Sequence, residues 1–174
     1  MLIQSNEDKI SALYLCADIF DYPANNDYIQ KIQSLEFLCE KTFKEIDISF
    51  VQSEYIRIFS INSTKLKCVP YASWWIDGKM AGLSTSKIKN FYKRCGYAFD
   101  QVLVEKPVDH ISLMITFIAI LLEENRLEEI YEFKKFLSWL DNFSDSLNKA
   151  TQIKYFQYAI NITSQIINSL QEKV

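Results

Sequence analysis

Residues 109–124 read DHISLMITFIAILLEE, and this stretch decides the fold. From Ile111 to Leu122 only Ser112 and Thr116 interrupt twelve residues of apolar character. A membrane span needs about 20 such residues, so the run is too short to cross a bilayer. It is also apolar on nearly every face, where a surface helix would show one apolar stripe. The spacing therefore predicts a helix over 109–124 at the middle of a helical bundle. Pro107 suits the first turn of that helix, where its missing N–H has no partner to lose. Glu124-Asn125-Arg126 makes a short connection onward.

Working outward, apolar positions recur at helical spacing almost without a break. Ser5 with Asp8 can start a helix in which Ile10, Leu13, Tyr14 and Ala17 share a face. Asp21-Tyr22-Pro23 stops it. Asn26 can cap a second helix carrying Ile29, Ile32, Leu35 and Leu38. A third is expected over 48–61, with Val51, Tyr55, Ile58 and Phe59 on one stripe. Ser84 or Thr85 can cap a helix with Ile88, Phe91, Tyr92 and Cys95, closed by Gly96. Beyond the central helix come one with Ile130, Phe133, Leu137 and Leu140, and a last over 151–170 with Tyr155, Tyr158 or Ala159, Ile162 and Ile166. Three glycines and three prolines in 174 residues leave too few turns for a sandwich, a barrel or a glycine-rich nucleotide fold. The reading is an all-α, single-domain helical bundle over residues 1–174 around a central apolar helix.

Charge and motif content exclude several function classes. The net charge is −3, and only Arg57, Arg94 and Arg126 are arginine, so no nucleic-acid partner is expected. Cys16, Cys39, Cys68 and Cys95 form no C-x-x-C pair and His110 is the only histidine, so no metal site is expected. They read as small buried thiols of a reducing compartment. The start MLIQSNEDKI has no basic n-region or apolar h-region, which points to a soluble, cytoplasmic protein with no membrane span. Signatures of a serine hydrolase, a phosphate-binding loop or a dinucleotide fold are absent.

Two places could carry chemistry. Residues 60–83 are the one long irregular stretch, and such stretches in compact domains are usually functional. It holds Trp74 and Trp75, of which one is expected to border solvent or a groove. The other place is Asp109-His110. In one reading Asp109 caps the central helix and His110 is a half-buried polar residue. In the other the pair forms the polar lip of a groove, with Asp109 meeting a cation and His110 exchanging hydrogen bonds near neutral pH. Tyr55, Ile58 and Phe59 read as core by spacing, and Glu54 and Arg57 as a surface pair.

Together these pieces resemble a known family. Glu54-Tyr55-Ile56-Arg57-Ile58-Phe59 is similar to an E-Y-x-R-[LI]-F stretch, and Pro70-Tyr71-Ala72-Ser73-Trp74-Trp75 to a P-[YW]-x-S-x-[YW] segment, of the TorD/DmsD/NarJ redox-enzyme maturation chaperones. Asp77-Gly78-Lys79-Met80 and Ser84-Thr85 fall where that family carries an acidic turn and an S-T helix start. Tyr92 with Gly96, Pro107-Val108-Asp109-His110-Ile111 and Trp139-Leu140 resemble its Y-x-x-x-G, P-x-D-H-[IL] and W-[LF]. The resemblance runs over residues 10–170.

It implies a non-enzymatic cytoplasmic chaperone that binds the twin-arginine leader, the apo-form, or both, of a molybdopterin oxidoreductase catalytic subunit until the cofactor is inserted. The residues it assigns to peptide binding are Tyr55, Ile58, Phe59, Pro70, Tyr71, Ser73, Trp75, Asp109 and His110. A leader that is basic at one end and apolar beyond it calls for a greasy trough with an acidic end, which the resemblance gives to Asp109. A NarJ-like adaptor gripping the mature part of a non-exported molybdoenzyme is the alternative. A small hydrolase or transferase using Asp109 and His110 is a third reading. The sequence departs from the family in its loop Ser60-Ile61-Asn62-Ser63-Thr64 and at Ser112-Leu113-Met114, where a glutamate is common. The weak guanine nucleotide binding of some members is therefore not carried over, and no cofactor is expected. A homodimer formed by helix exchange is a family property that the sequence leaves open.

Overall fold

The computed structural model describes residues 3–43, 47–60, 68–98 and 106–170. Residues 61–67, within the irregular stretch 60–83, and residues 99–105, ahead of Pro107, lie outside the described residues. So do Ile61, the last residue expected in the third helix, and most of the Ser60–Thr64 loop. The described chain is all-α: α1 (Asn6–Ile19), α2 (Asp27–Cys39), α3 (Ile48–Phe59), α4 (Ala72–Asp77), α5 (Leu83–Arg94), α6 (Ile111–Glu123), α7 (Leu127–Lys134), a 3₁₀ turn (Lys135–Leu137), α8 (Leu140–Ala150) and α9 (Lys154–Ser169).

The apolar run at 111–122 becomes α6, and ten of its thirteen residues are buried. α1 lies along α6 and also contacts α9 and α2, while α7 folds back on the other end of α6. Two aromatic clusters fill the spaces around it. Phe91, Tyr92, Phe117 and Phe133 join α5, α6 and α7, with Tyr92 and Phe117 centroids 4.5 Å apart. Phe20, Phe59, Phe143 and Phe156 join the end of α1 to α3, α8 and α9. Edge-to-face packing of this kind adds to the transfer free energy of each ring. No helix among the described residues is long and apolar enough to cross a membrane.

Helix starts follow local hydrogen bonding more than residue type. The expected box at α1 is formed: Ser5 accepts from the Asp8 N–H and Asp8 from the Ser5 N–H. At α2 the cap is Asn25, whose Oδ1 accepts from the Asp27 N–H at 3.0 Å, and Asn26 makes no capping bond. Asp47 caps α3 through the N–H groups of Ser49 and Phe50. α5 starts at Leu83, and neither Ser84 nor Thr85 caps it; Asp77 does so from the end of α4. Its two oxygens accept from the Ser84 N–H and hydroxyl, both at 2.8 Å. α5 ends as expected: Tyr97 N–H reaches Tyr92 C=O, Gly96 N–H reaches Lys93 C=O, and Gly96 has φ +90°.

Asp77 can fold over that turn only because residue 82 is glycine. A Cβ on Gly82 would stand 2.7 Å from Asp77 Cβ and closer still to its carboxylate. Gly82→Ala is therefore expected to dislodge the cap and lower stability by about 1–2 kcal/mol, read as a shifted urea midpoint. An unchanged midpoint would mean that Asp77 does not hold the start of α5.

Candidate functional site

The irregular stretch and the Asp109-His110 segment, the two places expected to carry function, meet and are stitched together. Ile111 N–H donates to Pro70 C=O at 2.8 Å, and Ala72 N–H donates to Asp109 C=O at 2.9 Å. Tyr71 and His110 thus face each other in a one-residue antiparallel bridge, rings 5.0 Å apart. Asp109 Oδ2 accepts from the Ser73 N–H at 2.9 Å. That carboxylate covers the start of α4, where free N–H groups favour negative charge. Trp75 anchors the same segment, donating from Nε1 to Val69 C=O at 2.7 Å and stacking on Trp139.

This geometry corrects two expectations about Asp109. It does not cap the central helix; His110 does, accepting from the Ser112 N–H through Nδ1 at 3.2 Å, and α6 starts only at Ile111. Pro107 accordingly lies before the helix, its carbonyl accepting from His110 N–H in a turn. Nor can Asp109 be an acidic lip, because it is 0% exposed and faces the start of α4. Ile58, Phe59, Pro70 and Ser73 are buried as well, holding the walls from behind. Trp74 and Trp75 are both half-buried, so neither is the fully core partner of an exposed one.

Tyr55, Tyr71 and His110 do come together. With Asp21, Tyr22 and Lys106 they line a cleft of about 350 Å³ beside the bridge. Tyr55 donates its hydroxyl to Phe20 C=O at 2.9 Å, and Tyr22 packs edge-on against it at 5.6 Å while half of Tyr22 stays exposed. Burial pushes the Tyr55 hydroxyl well above the usual phenol range and raises that of Tyr71 as well, so both remain neutral donors. Lys106 pairs with Asp21 across the cleft and also donates to Ser112 Oγ at 2.9 Å. Burial, reinforced by the Lys106 cation and opposed by Asp21, pushes the His110 imidazole down to about 3. His110 is thus neutral at physiological pH, and since Nδ1 accepts a backbone N–H, its proton sits on Nε2. A base paired with Asp109 is not what this site contains: the Asp109 carboxylate is engaged with the Ser73 N–H, not with the ring.

Asp21, Tyr22 and Lys106 escaped the sequence reading. Asp21-Tyr22-Pro23 registered only as a helix stop, although a carboxylate beside a tyrosine at a helix end was the available signal. Lys106 carried none. A cleft of this size lies at the small end of ligand pockets and suits one or two anchoring side chains.

No curated protein sequence matches the chain significantly. Its fold resembles the crystal structure of an Archaeoglobus fulgidus protein assigned as a redox enzyme maturation protein. The TM-score is 0.72 at 22% identity, over 95% of this chain and 98% of that one. The profile of the nitrate reductase delta subunit family matches residues 22–150, which include α2 to α8 and every cleft residue except Asp21. With the match spanning most of its length, the chain belongs to the nitrate reductase delta subunit family, the NarJ/TorD type of redox-enzyme maturation chaperone.

Proposed function

We propose that this chaperone acts in the cytoplasm on a nitrate-reductase-type molybdopterin oxidoreductase, and that the tyrosine-lined cleft grips the basic end of the client's twin-arginine leader. The observation that carries the reading is the Asp21 carboxylate at a wall of three tyrosines, occupied by a cation of the same chain. An incoming guanidinium would displace the Lys106 ammonium from Asp21. The exchange is favourable because a guanidinium can bond a carboxylate with two parallel N–H groups and is the more weakly hydrated cation. Apolar leader residues would then follow along Tyr22, Tyr55 and Tyr71. The cleft holds only an anchor, so the rest of the client is met elsewhere on the surface. Family membership favours a second reading, in which the anchor belongs to the mature protein; pull-down with a leader-deleted client separates the two.

A leader peptide titrated into the protein, followed by tryptophan fluorescence or calorimetry, tests the proposal. Asp21→Asn and Tyr71→Ala should each weaken binding about tenfold or more with the circular dichroism unchanged. Lys106→Met should tighten it several-fold, since Asp21 is then free. A Lys-Lys leader should lose part of the wild-type affinity but little of what remains in Asp21→Asn. Equal binding by wild type, Asp21→Asn and Lys106→Met would place the leader away from this cleft.

A further inference from the structure

A second concave surface lies between α5 and the α7 end, and it shares no residue with the tyrosine cleft. It encloses about 630 Å³ and is bordered by Ile76, Lys87, Arg94, Glu132, Lys135 and Phe136, among others. Its charge is opposite to that of the chain as a whole. Residues 78–99 contain five Lys and Arg and no Asp or Glu, in a protein of net charge −3. Helical spacing puts Lys87 and Arg94 seven residues apart on the same face of α5, one above the other. Lys135 approaches from the far wall.

One carboxylate, Glu132, serves two of these cations. It pairs with Arg94 across the cleft and with Lys135 one helical turn away. The cations are further held over ring faces, Arg94 4.5 Å from the Phe91 centroid and Lys135 5.4 Å from that of Phe136. Both remain more than half exposed, so their outer N–H groups are open to a partner. Lys87 is exposed and faces the same space. Three cations against one carboxylate leave the cleft positive, on a partly apolar floor where Ile76 is 43% exposed.

From this arrangement we propose that the α5–α7 cleft is a docking site for an acidic segment of a partner protein that also carries an apolar side chain. Carboxylates along such a segment reach Lys87 and Arg94 on the α5 wall and Lys135 on the other, while the apolar residue covers Phe136 and Ile76. Glu132, set among the cations, repels the concentrated charge of a phosphate but leaves room for carboxylates spaced along a chain. A single arginine and a negative net charge disfavour a nucleic acid. The concave shape disfavours a flat anionic membrane, which fits exposed basic residues on a convex or planar face. Complementary charge of this kind mainly accelerates encounter and selects the partner, with the apolar contact supplying residence time.

Fluorescence anisotropy of the full chain tests this, using a fluorescein-labelled peptide of alternating aspartate and glutamate around a central Leu-Phe pair. Binding at low salt is expected. The double variant Lys87→Glu/Lys135→Glu should weaken it about tenfold, and Lys87→Arg/Lys135→Arg should hold it within about twofold. Lys149→Ala, which removes an exposed cation outside both clefts, should leave it unchanged. Three results would overturn the proposal: equal binding by the charge-reversed double variant, equal binding of a lysine-substituted peptide, or phosphatidylglycerol vesicles binding in preference to the peptide. A dimer of the wild type that the double variant dissociates, with no peptide bound, would also overturn it by assigning the cleft to a second copy of the chain.

Discussion

Phe117→Ala should lower the stability of the chain by about 3–5 kcal/mol, the usual cost of deleting a fully buried aromatic ring. Phe117 is 0% exposed in the middle of α6. Its ring touches Phe133 at 4.9 Å, Tyr97 at 5.6 Å and Phe91 at 6.1 Å, besides Tyr92. These partners come from α5, its C-terminal turn and α7, so the space left behind is walled by three elements that cannot collapse independently. A domain of this size is stable by about 5–15 kcal/mol, so the loss is a large part of the whole. Phe117→Leu keeps most of the volume and should cost clearly less. Ile120→Ala, on the same helix but at a partly exposed position, should also cost less. Urea unfolding followed by circular dichroism ranks the three. If Phe117→Ala proves no worse than Ile120→Ala, the aromatic cluster is not the packed centre described above.

The residues that make α6 also made it readable. A long apolar run of the wrong length for a membrane has few alternatives to a buried helix, whatever its neighbours do. The flanking helices were legible through 3.6-residue periodicity, but two were not found. α4 has only six residues, too few to show a repeat, and its start is covered by Asp109 from another part of the chain. α8 places Leu140, Phe143 and Leu147 on one face, yet its polar remainder merged with the connection to α9. Cap positions slipped for a related reason. Asn25 rather than Asn26, or Asp77 rather than Ser84, is decided by backbone angles and by a turn folding back, neither of which residue type reports.

The site was half legible for a different physical reason. Tyr55, Tyr71 and His110 sit in stretches whose resemblance to a family could be seen, and they do meet at the cleft. Asp21 and Lys106 are 85 residues apart, and their pairing arises only from the packing of the end of α1 against the start of α6. Conversely, the most conspicuous acidic residue, Asp109, is conspicuous for what it holds together. Glu54 and Arg57 behave likewise. They pair as expected, but Arg57 also donates to Ala150 C=O and Glu54 accepts from Thr151, tying α3 to the turn before α9. Charged residues read as surface decoration thus act as tertiary fastenings.

Asp109→Ala should therefore behave as a folding variant before it behaves as a binding variant. Removing the carboxylate leaves the buried Ser73 N–H without its acceptor and opens a gap beneath the Tyr71–His110 bridge. Losing that one bond, which both caps α4 and satisfies the buried donor, should cost about 1–3 kcal/mol. Asp109→Asn separates the candidate roles of the carboxylate. Its amide oxygen can still accept from Ser73 N–H, while its NH2 replaces Oδ1, which has no hydrogen-bond partner among the described residues. If Asp109 fastens α4, the asparagine variant should keep most of the stability and nearly all of the leader affinity, and only Asp109→Ala should lose both. If Asp109 contacts a leader arginine, the asparagine variant should lose affinity at unchanged stability, as expected instead for Asp21→Asn. Thermal melts and leader titrations on the three variants distinguish the cases. The buried position of Asp109 and the partly exposed position of Asp21 set the direction: the fastening carboxylate is out of reach of a guanidinium, and the one that can be reached is already holding a lysine.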